Sequence, residues 1–169
     1  SYSIGELATR RLIDDGCSRI LCLRSNSRMR MPANKRTDAY LDVVEQAGLP
    51  ALVREVEFVK PDDEKSAVVA KILDENPDID GIFAGDDTMA AICLNVMKRR
   101  GLSAPDDIKV VGADGARRTM TFMPDLTTVR QDIDRIGELA AQSIIALVNG
   151  EKPESNTKLP VELIEGKTA

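Results

Sequence analysis

The feature that most limits what this chain can fold into is a change of apolar period, repeated from one end to the other. Segments with apolar residues at helical spacing alternate with short apolar runs, and the connections between them are brief. Ser3 and Glu6 have the spacing of a capping box, which predicts a helix through Leu7, Ala8, Leu12 and Ile13 ending near Gly16. Ile20 to Leu23 reads as a strand. Asn34 to Ala47 is amphipathic, with Tyr40, Val43, Val44 and Ala47 on one face, and stops at Gly48. A strand follows at Val53 to Phe58, then a helix at Asp63 to Asn76 with Asp63 as its cap, then a strand at Ile79 to Ala84. The next helix, Asp87 to Arg100, ends before Gly101. Ile108 to Ala113 is a strand, followed by a polar loop and a second strand around Leu126 to Val129, which Pro124 keeps from continuing a helix. A helix from Ile133 to Asn149 is closed by Gly150, and Leu159 to Ile164 is the last strand. This order predicts an α/β fold: a parallel sheet with helices on both faces, joined by right-handed crossovers.

The chain has 169 residues, 43% of them hydrophobic and 30% charged, which is ordinary for a globular domain with a sizeable core. No apolar run approaches the length needed to cross a bilayer. A net charge of -5 argues against this segment binding nucleic acid by itself, since duplex binding depends on neutralising phosphates. The basic run Lys98-Arg99-Arg100 ends a helix, where cations complement the helix dipole. Cys17, Cys22 and Cys93 are odd in number and two lie in apolar segments, the usage of buried free thiols in a reducing, cytoplasmic setting. The cysteines lack metal-binding spacing and the chain has no histidine, so neither a metal site nor a cofactor is expected. A glycine-rich phosphate loop, a nucleophile elbow and a histidine base are also absent from the sequence, which weighs against an enzyme.

The tract from Ile108 to Gln131 is the most specific one. Its first strand ends in Gly112-Ala113-Asp114, placing a carboxylate where open α/β sheets bind ligands. Pro105-Asp106-Asp107-Ile108 leads into it, and Pro124-Asp125-Leu126-Thr127-Thr128-Val129-Arg130-Gln131 follows. In that order and at that separation, the tract resembles the effector-binding domain of LacI-family transcription regulators. The likeness covers nearly the whole chain. Gly5 through Ile20 is similar to the family's helix and strand, with Cys17 in place of the usual histidine. Arg36-Thr37-Asp38-Ala39-Tyr40 resembles R-x-x-G-Y, with Ala39 replacing glycine. Ala84 to Ala90 resembles the strand-end A-x-[SN]-D-x-x-A, and Leu159 to Ile164 the closing L-P-x-x-L-I.

The resemblance implies a periplasmic-binding-protein-like fold of two lobes. Residues 1–126 would be mostly the lobe distal to DNA, 127–150 a crossover strand and helix of the DNA-proximal lobe, and 151–169 a linker and closing strand. A helix-turn-helix and the first elements of the proximal lobe would lie outside this chain. It also implies a sugar or sugar-derivative effector, with Arg36, Asp86, Asp114, Phe58, Lys60 and Gln131 facing it.

Read from spacing alone, Arg36 is a helix arginine and Gly112 to Gly115 a turn; the resemblance makes Arg36 and Asp114 effector contacts. Of the adjacent acids, Asp87 is assigned as the helix cap and Asp86 as the ligand-facing residue, though the two are free to exchange roles. Arg28, Arg30 and Lys60 nearby admit an acidic or phosphorylated sugar. The helix Thr88 to Met97 is apolar on more than one face. By resemblance Met89, Ile92 and Cys93, with Phe122 and Met123, would form a homodimer interface. The expected function is an allosteric sensor whose effector closes a cleft and alters operator binding by the absent headpiece. The alternative is a periplasmic sugar-binding protein, which shares the bilobal fold.

Overall fold

The computed structural model describes residues 2–26, 33–152 and 158–169, and their strands form one six-stranded sheet. In chain order the elements are α1 (Tyr2–Asp14), β1 (Ile20–Asn26), α2 (Ala33–Gln46), β2 (Leu52–Glu57), α3 (Asp62–Glu75), β3 (Gly81–Ala84), α4 (Asp87–Arg99), β4 (Lys109–Asp114), α5 (Arg117–Phe122), β5 (Thr127–Gln131), α6 (Ile133–Val148) and β6 (Val161–Ile164). The strand order is β2-β1-β3-β4-β5-β6. Every neighbouring pair is parallel except β5 with β6. The expected parallel sheet through Ile20, Val56, Ile82 and Val110 is therefore the observed one.

Alternation along each strand sends side chains to two cores. Leu21, Leu23, Ile82 and Val110 pack under α3 and α4, against Val69, Ile72, Met89, Cys93 and Met97. Cys22, Phe83, Val111, Ala113 and Val129 pack under α1 and α2, against Ile4, Ala8, Leu12, Tyr40 and Val44. The buried Tyr40 hydroxyl ties the second core to two strands at once. It donates to the carbonyl of Ile20 at 2.7 Å and accepts from the amide of Leu52 at 2.8 Å. All three cysteines are buried free thiols, and burial pushes Cys22 and Cys93 up to about 12 and Cys17 to about 11.

Several local expectations are corrected. The first helix already includes Tyr2, so Ser3 lies inside it and cannot act as the cap of a box with Glu6. Pro61, not Asp63, occupies the N-cap of α3, and Asp63 contributes negative charge to its first turn instead. The loop after β4 contains the short helix α5.

The larger correction concerns residue 127. The resemblance assigns the strand Thr127 to Val129 to the DNA-proximal lobe, in a sheet whose other strands would lie outside this chain. Instead it pairs with β4 on one side, Gly112 opposite Thr128, and with β6 on the other, Val129 opposite Leu163. Thr127 and Thr128 are buried, so their β-branched side chains fill this sheet. The helix that follows behaves differently: α6 has no buried residue, and Ile133, Ile136, Ile144, Ile145, Leu147 and Val148 are exposed. The linker-like stretch 151–158 lies largely outside the described residues.

Candidate functional site

The chain reverses its direction of sheet growth between β1 and β3, because β2 lies on one side of β1 and all later strands lie on the other. Neighbouring crossovers then leave the carboxyl ends of these two strands on opposite faces, opening a crevice where α/β sheets bind ligands. The sequence puts its polar residues at that edge: Arg24 and Ser25 end β1, Asp86 follows β3, Asp114 ends β4 and Gln131 ends β5.

Arg36, in the second turn of α2, reaches over the crevice. Its Nη1 donates to the carbonyl of Gly85 at 2.5 Å, at the end of β3, and its Nη2 donates to Asp114 Oδ1 at 2.5 Å. Gln131 Nε2 donates to the same Oδ1 at 2.8 Å. Residues 95 positions apart in sequence, Arg36 and Gln131, thus meet on one carboxylate. Asp114 has a φ of 100°, a conformation an L-residue seldom adopts. A continued β conformation would send its side chain toward the α4 face, as it sends Val110; the positive φ turns it over the sheet edge. Such strain persists only where surrounding contacts over-determine it, and here the ion pair and the amide hold it. Both protein donors address Oδ1. Among the described residues no donor reaches Oδ2, so one half of the carboxylate keeps its acceptor capacity.

Close approach of α1 to α2 sets the reach of Arg36. A Cβ at Gly5 would lie 2.1 Å from the Arg36 carbonyl oxygen, so only glycine lets the two helices pack this closely. Beside the cluster, a cavity of about 770 Å³ opens between α5, the β5–α6 junction and β6, lined in part by Gly115, Arg117, Met120, Gln131, Asp132 and Pro160. That volume is in the range of small-molecule sites.

The cap role assigned to Asp87 falls to Asp86, and Asp87 does not take the ligand-facing role in exchange. Asp86 is the cap: its Oδ1 accepts from the Met89 amide at 2.8 Å, and its Oδ2 accepts from the Ser25 hydroxyl at 3.3 Å. Asp87 turns inward, is 3% exposed and accepts from the Thr128 hydroxyl at 2.5 Å. Extended backbone at Asp86 is what a capping residue needs; one position later the chain is helical and the next side chain points at the sheet. Asp86 keeps its place at the crevice edge, but with its oxygens already engaged.

Phe58 and Lys60 follow β2, at the outer edge of the sheet, and take their partners from the adjoining α3. The Lys65 ammonium sits 5.6 Å from the Phe58 ring, and Lys60 pairs with Glu64 at 3.3 Å. Neither joins the cluster around Asp114. Arg28 and Arg30 lie outside the described residues. Of the expected interface residues, Met89, Ile92 and Cys93 are only 2%, 6% and 0% exposed, sealed within the core under α4, so they cannot meet a partner. Met123 is partly buried against that same core, whereas Phe122 is 75% exposed. Thr128, Gly5 and the Gly85 carbonyl were not anticipated as parts of the site. All three lie in segments that carry the family resemblance, but nothing in the sequence marks them as neighbours of Asp114.

Comparison with known proteins agrees with this architecture. Residues 9–169 match the model of the periplasmic binding protein-like domain. The chain belongs to this family. It is 32% identical over 165 residues to the ribose operon repressor of Halalkalibacterium halodurans, covering 96% of this chain and 48% of that protein. It is also 32% identical over 166 residues to the sucrose operon repressor of Lactococcus lactis, covering 98% of this chain and 51% of that protein. The structure of the transcriptional regulator CelR in complex with cellobiose superposes with a TM-score of 0.86 at 27% identity, covering 99% of this chain and 52% of that one. The relatives are named as operon repressors and a transcriptional regulator, the class that the Pro-x-Leu-Thr-Thr tract resembles. The chain spans about half the length of the curated relatives it matches.

Proposed function

We propose that this chain forms the effector-binding part of a LacI-type transcription regulator and that its effector is a sugar or sugar derivative. The observation that carries this reading is the Arg36–Asp114–Gln131 cluster at the switch point of the sheet, with no donor among the described residues on Asp114 Oδ2. Sugar hydroxyls are donors and acceptors in fixed geometry. A carboxylate held by a guanidinium and an amide offers them a charged acceptor whose orientation is already determined, so little further ordering is needed on binding. The ribose, sucrose and cellobiose of the relatives' names are all neutral sugars, and the internal Arg36–Asp114 pair balances its own charge in the same sense.

Effector binding in the cleft acts by favouring one arrangement of the two lobes over the other, which changes the spacing of DNA-binding headpieces supplied elsewhere in the longer protein. The exposed apolar face of α6 is the surface that the rest of that protein covers. The working protein is a cytoplasmic homodimer, with Phe122 on the interface. A periplasmic transport role is disfavoured by the repressor relatives and by three buried free thiols.

The test is calorimetric titration and thermal shift of the full-length regulator with D-ribose, sucrose, cellobiose, sugar acids and sugar phosphates. Arg36→Ala and Asp114→Ala should each weaken binding of the responding sugar by roughly 1.5–3 kcal/mol, the value of a hydrogen bond to a charged group. Unchanged affinity in both variants would remove the cluster from the effector site.

A further inference from the structure

Asp87 is a buried carboxylate with no part in the contacts so far assigned to the effector. It sits on the first turn of α4, directly behind the cluster. Its Oδ1 accepts from Thr128 on β5 and would lie only 2.6 Å from a Cβ on Gly112, so the bare backbone of β4 makes room for it. Gly112 and Thr128 face each other across the sheet, two residues before Asp114 and three before Gln131. Among the described residues Oδ2 is buried with no hydrogen bond of good geometry, and the Gly115 and Ala116 amides of the β4–α5 turn favour its charge from nearby. Burying an ionisable group is costly, and a threonine or asparagine could accept from the Thr128 hydroxyl without placing a charge beside the turn amides.

Resting on the effector site described above, we propose that Asp87 is a positioning residue: through Thr128 and the β4–α5 turn, its charge fixes the arrangement of Asp114 and Gln131 that receives the ligand. An ionised carboxylate only accepts, so it holds the Thr128 hydroxyl in one orientation and the start of the crossover with it. A neutral acid also donates, and that constraint is released. The charged and titratable groups around it are Asp114 on β4, Asp86 beside it on the α4 cap, and Arg36 of α2 acting through Asp114. Burial raises the Asp87 carboxyl to about 6, Asp114 pushes it further in the same direction, and the Thr128 hydroxyl with the nearby Gly115 and Ala116 amides opposes them.

The test needs no ligand, which separates its failure from failure of the sugar reading. Carboxyl and amide resonances of the 169-residue chain are followed by NMR from pH 5 to 8. In the wild type the Gln131 side-chain amide, which reports on Asp114, should shift with the midpoint of the Asp87 carboxyl. In Asp87→Asn that shift should vanish. In Thr128→Val, the Asp87 carboxyl should still titrate while Gln131 stops responding, and Thr128→Ser should restore the response. A Gln131 signal that stays flat in the wild type, or that titrates identically in Asp87→Asn or Thr128→Val, would overturn the proposal. With a responding sugar in hand, wild-type affinity should fall roughly 3–10-fold from pH 7.5 to 5, the effect of one hydrogen bond, and Asp87→Asn should lose that dependence. An equal fall in the variant would also count against it.

Discussion

Helices α4 and α6 look alike as sequences and end in opposite circumstances. Both are apolar on more than one side: Met89, Ile92, Cys93, Val96 and Met97 in the first, Ile136, Ile144, Ile145, Leu147 and Val148 in the second. In α4 the surplus is consumed within the chain, because the helix lies in the angle between α3 and the sheet and needs apolar atoms toward both. In α6 no residue is buried. An apolar face therefore announces that something covers it, without saying whether the cover is the same chain. This is why the dimer expectation failed for Met89, Ile92 and Cys93, and why α6 is the surface proposed to be covered in a longer protein.

The comparison breaks most readily at α4. Met97→Ala removes a fully buried side chain and should cost about 2–5 kcal/mol in urea unfolding, since the surrounding sheet and helices cannot collapse onto the space. A cost below about 1 kcal/mol would mean that α4 is as loosely covered as α6.

Next in size is the pH dependence of Asp87, the residue that begins α4. Its carboxyl ionises near pH 6 in the folded chain and near 4 when unfolded, so between these values the native state binds more protons. Stability should therefore fall as pH rises through that window, by up to about 3 kcal/mol from this group alone. Urea midpoints in Asp87→Asn should lack this fall. If wild type and variant follow the same profile, the buried acid is not the source.

A conformational probe should follow the same division. Amides of α4 should exchange only on global unfolding, whereas those of α6 should exchange by local opening, at least 10-fold faster by the 1.4 kcal/mol rule for any appreciable difference in opening energy. The smallest effect belongs to α6 itself. In this chain Ile144→Ala or Leu147→Ala should change stability by no more than about 0.5 kcal/mol, as at other exposed positions. The same substitutions in the full-length regulator should cost several times more if its remaining half packs there. Equal costs in both settings would leave α6 exposed in the whole protein too.

Much of the fold was legible because its signals are local. Period-two and period-3.6 patterns gave the strands and helices to within a few residues, and glycines at positions 16, 48, 101 and 150, each with positive φ, marked the helix ends. Arg36, Asp114 and Gln131 were chosen by resemblance, since no spacing rule joins them. Their choice of one oxygen as a common partner was not readable at all. The cap at Asp86 was misassigned because two adjacent acids serve equally well by composition, and only the backbone angle at the end of β3 separates them.

What the sequence determined by itself was the alternation of elements, the parallel sheet it enforces, and the placing of polar residues just past strand ends. These follow from side-chain period and turn chemistry, which act over a few residues. The tertiary structure alone decided which apolar faces this chain covers, that β5 completes this sheet, and that Asp114 turns over the edge to meet Arg36 while Asp87 is buried behind it. Those outcomes depend on packing between segments tens of residues apart, where the winning arrangement is set by the whole core and not by any segment's own preference.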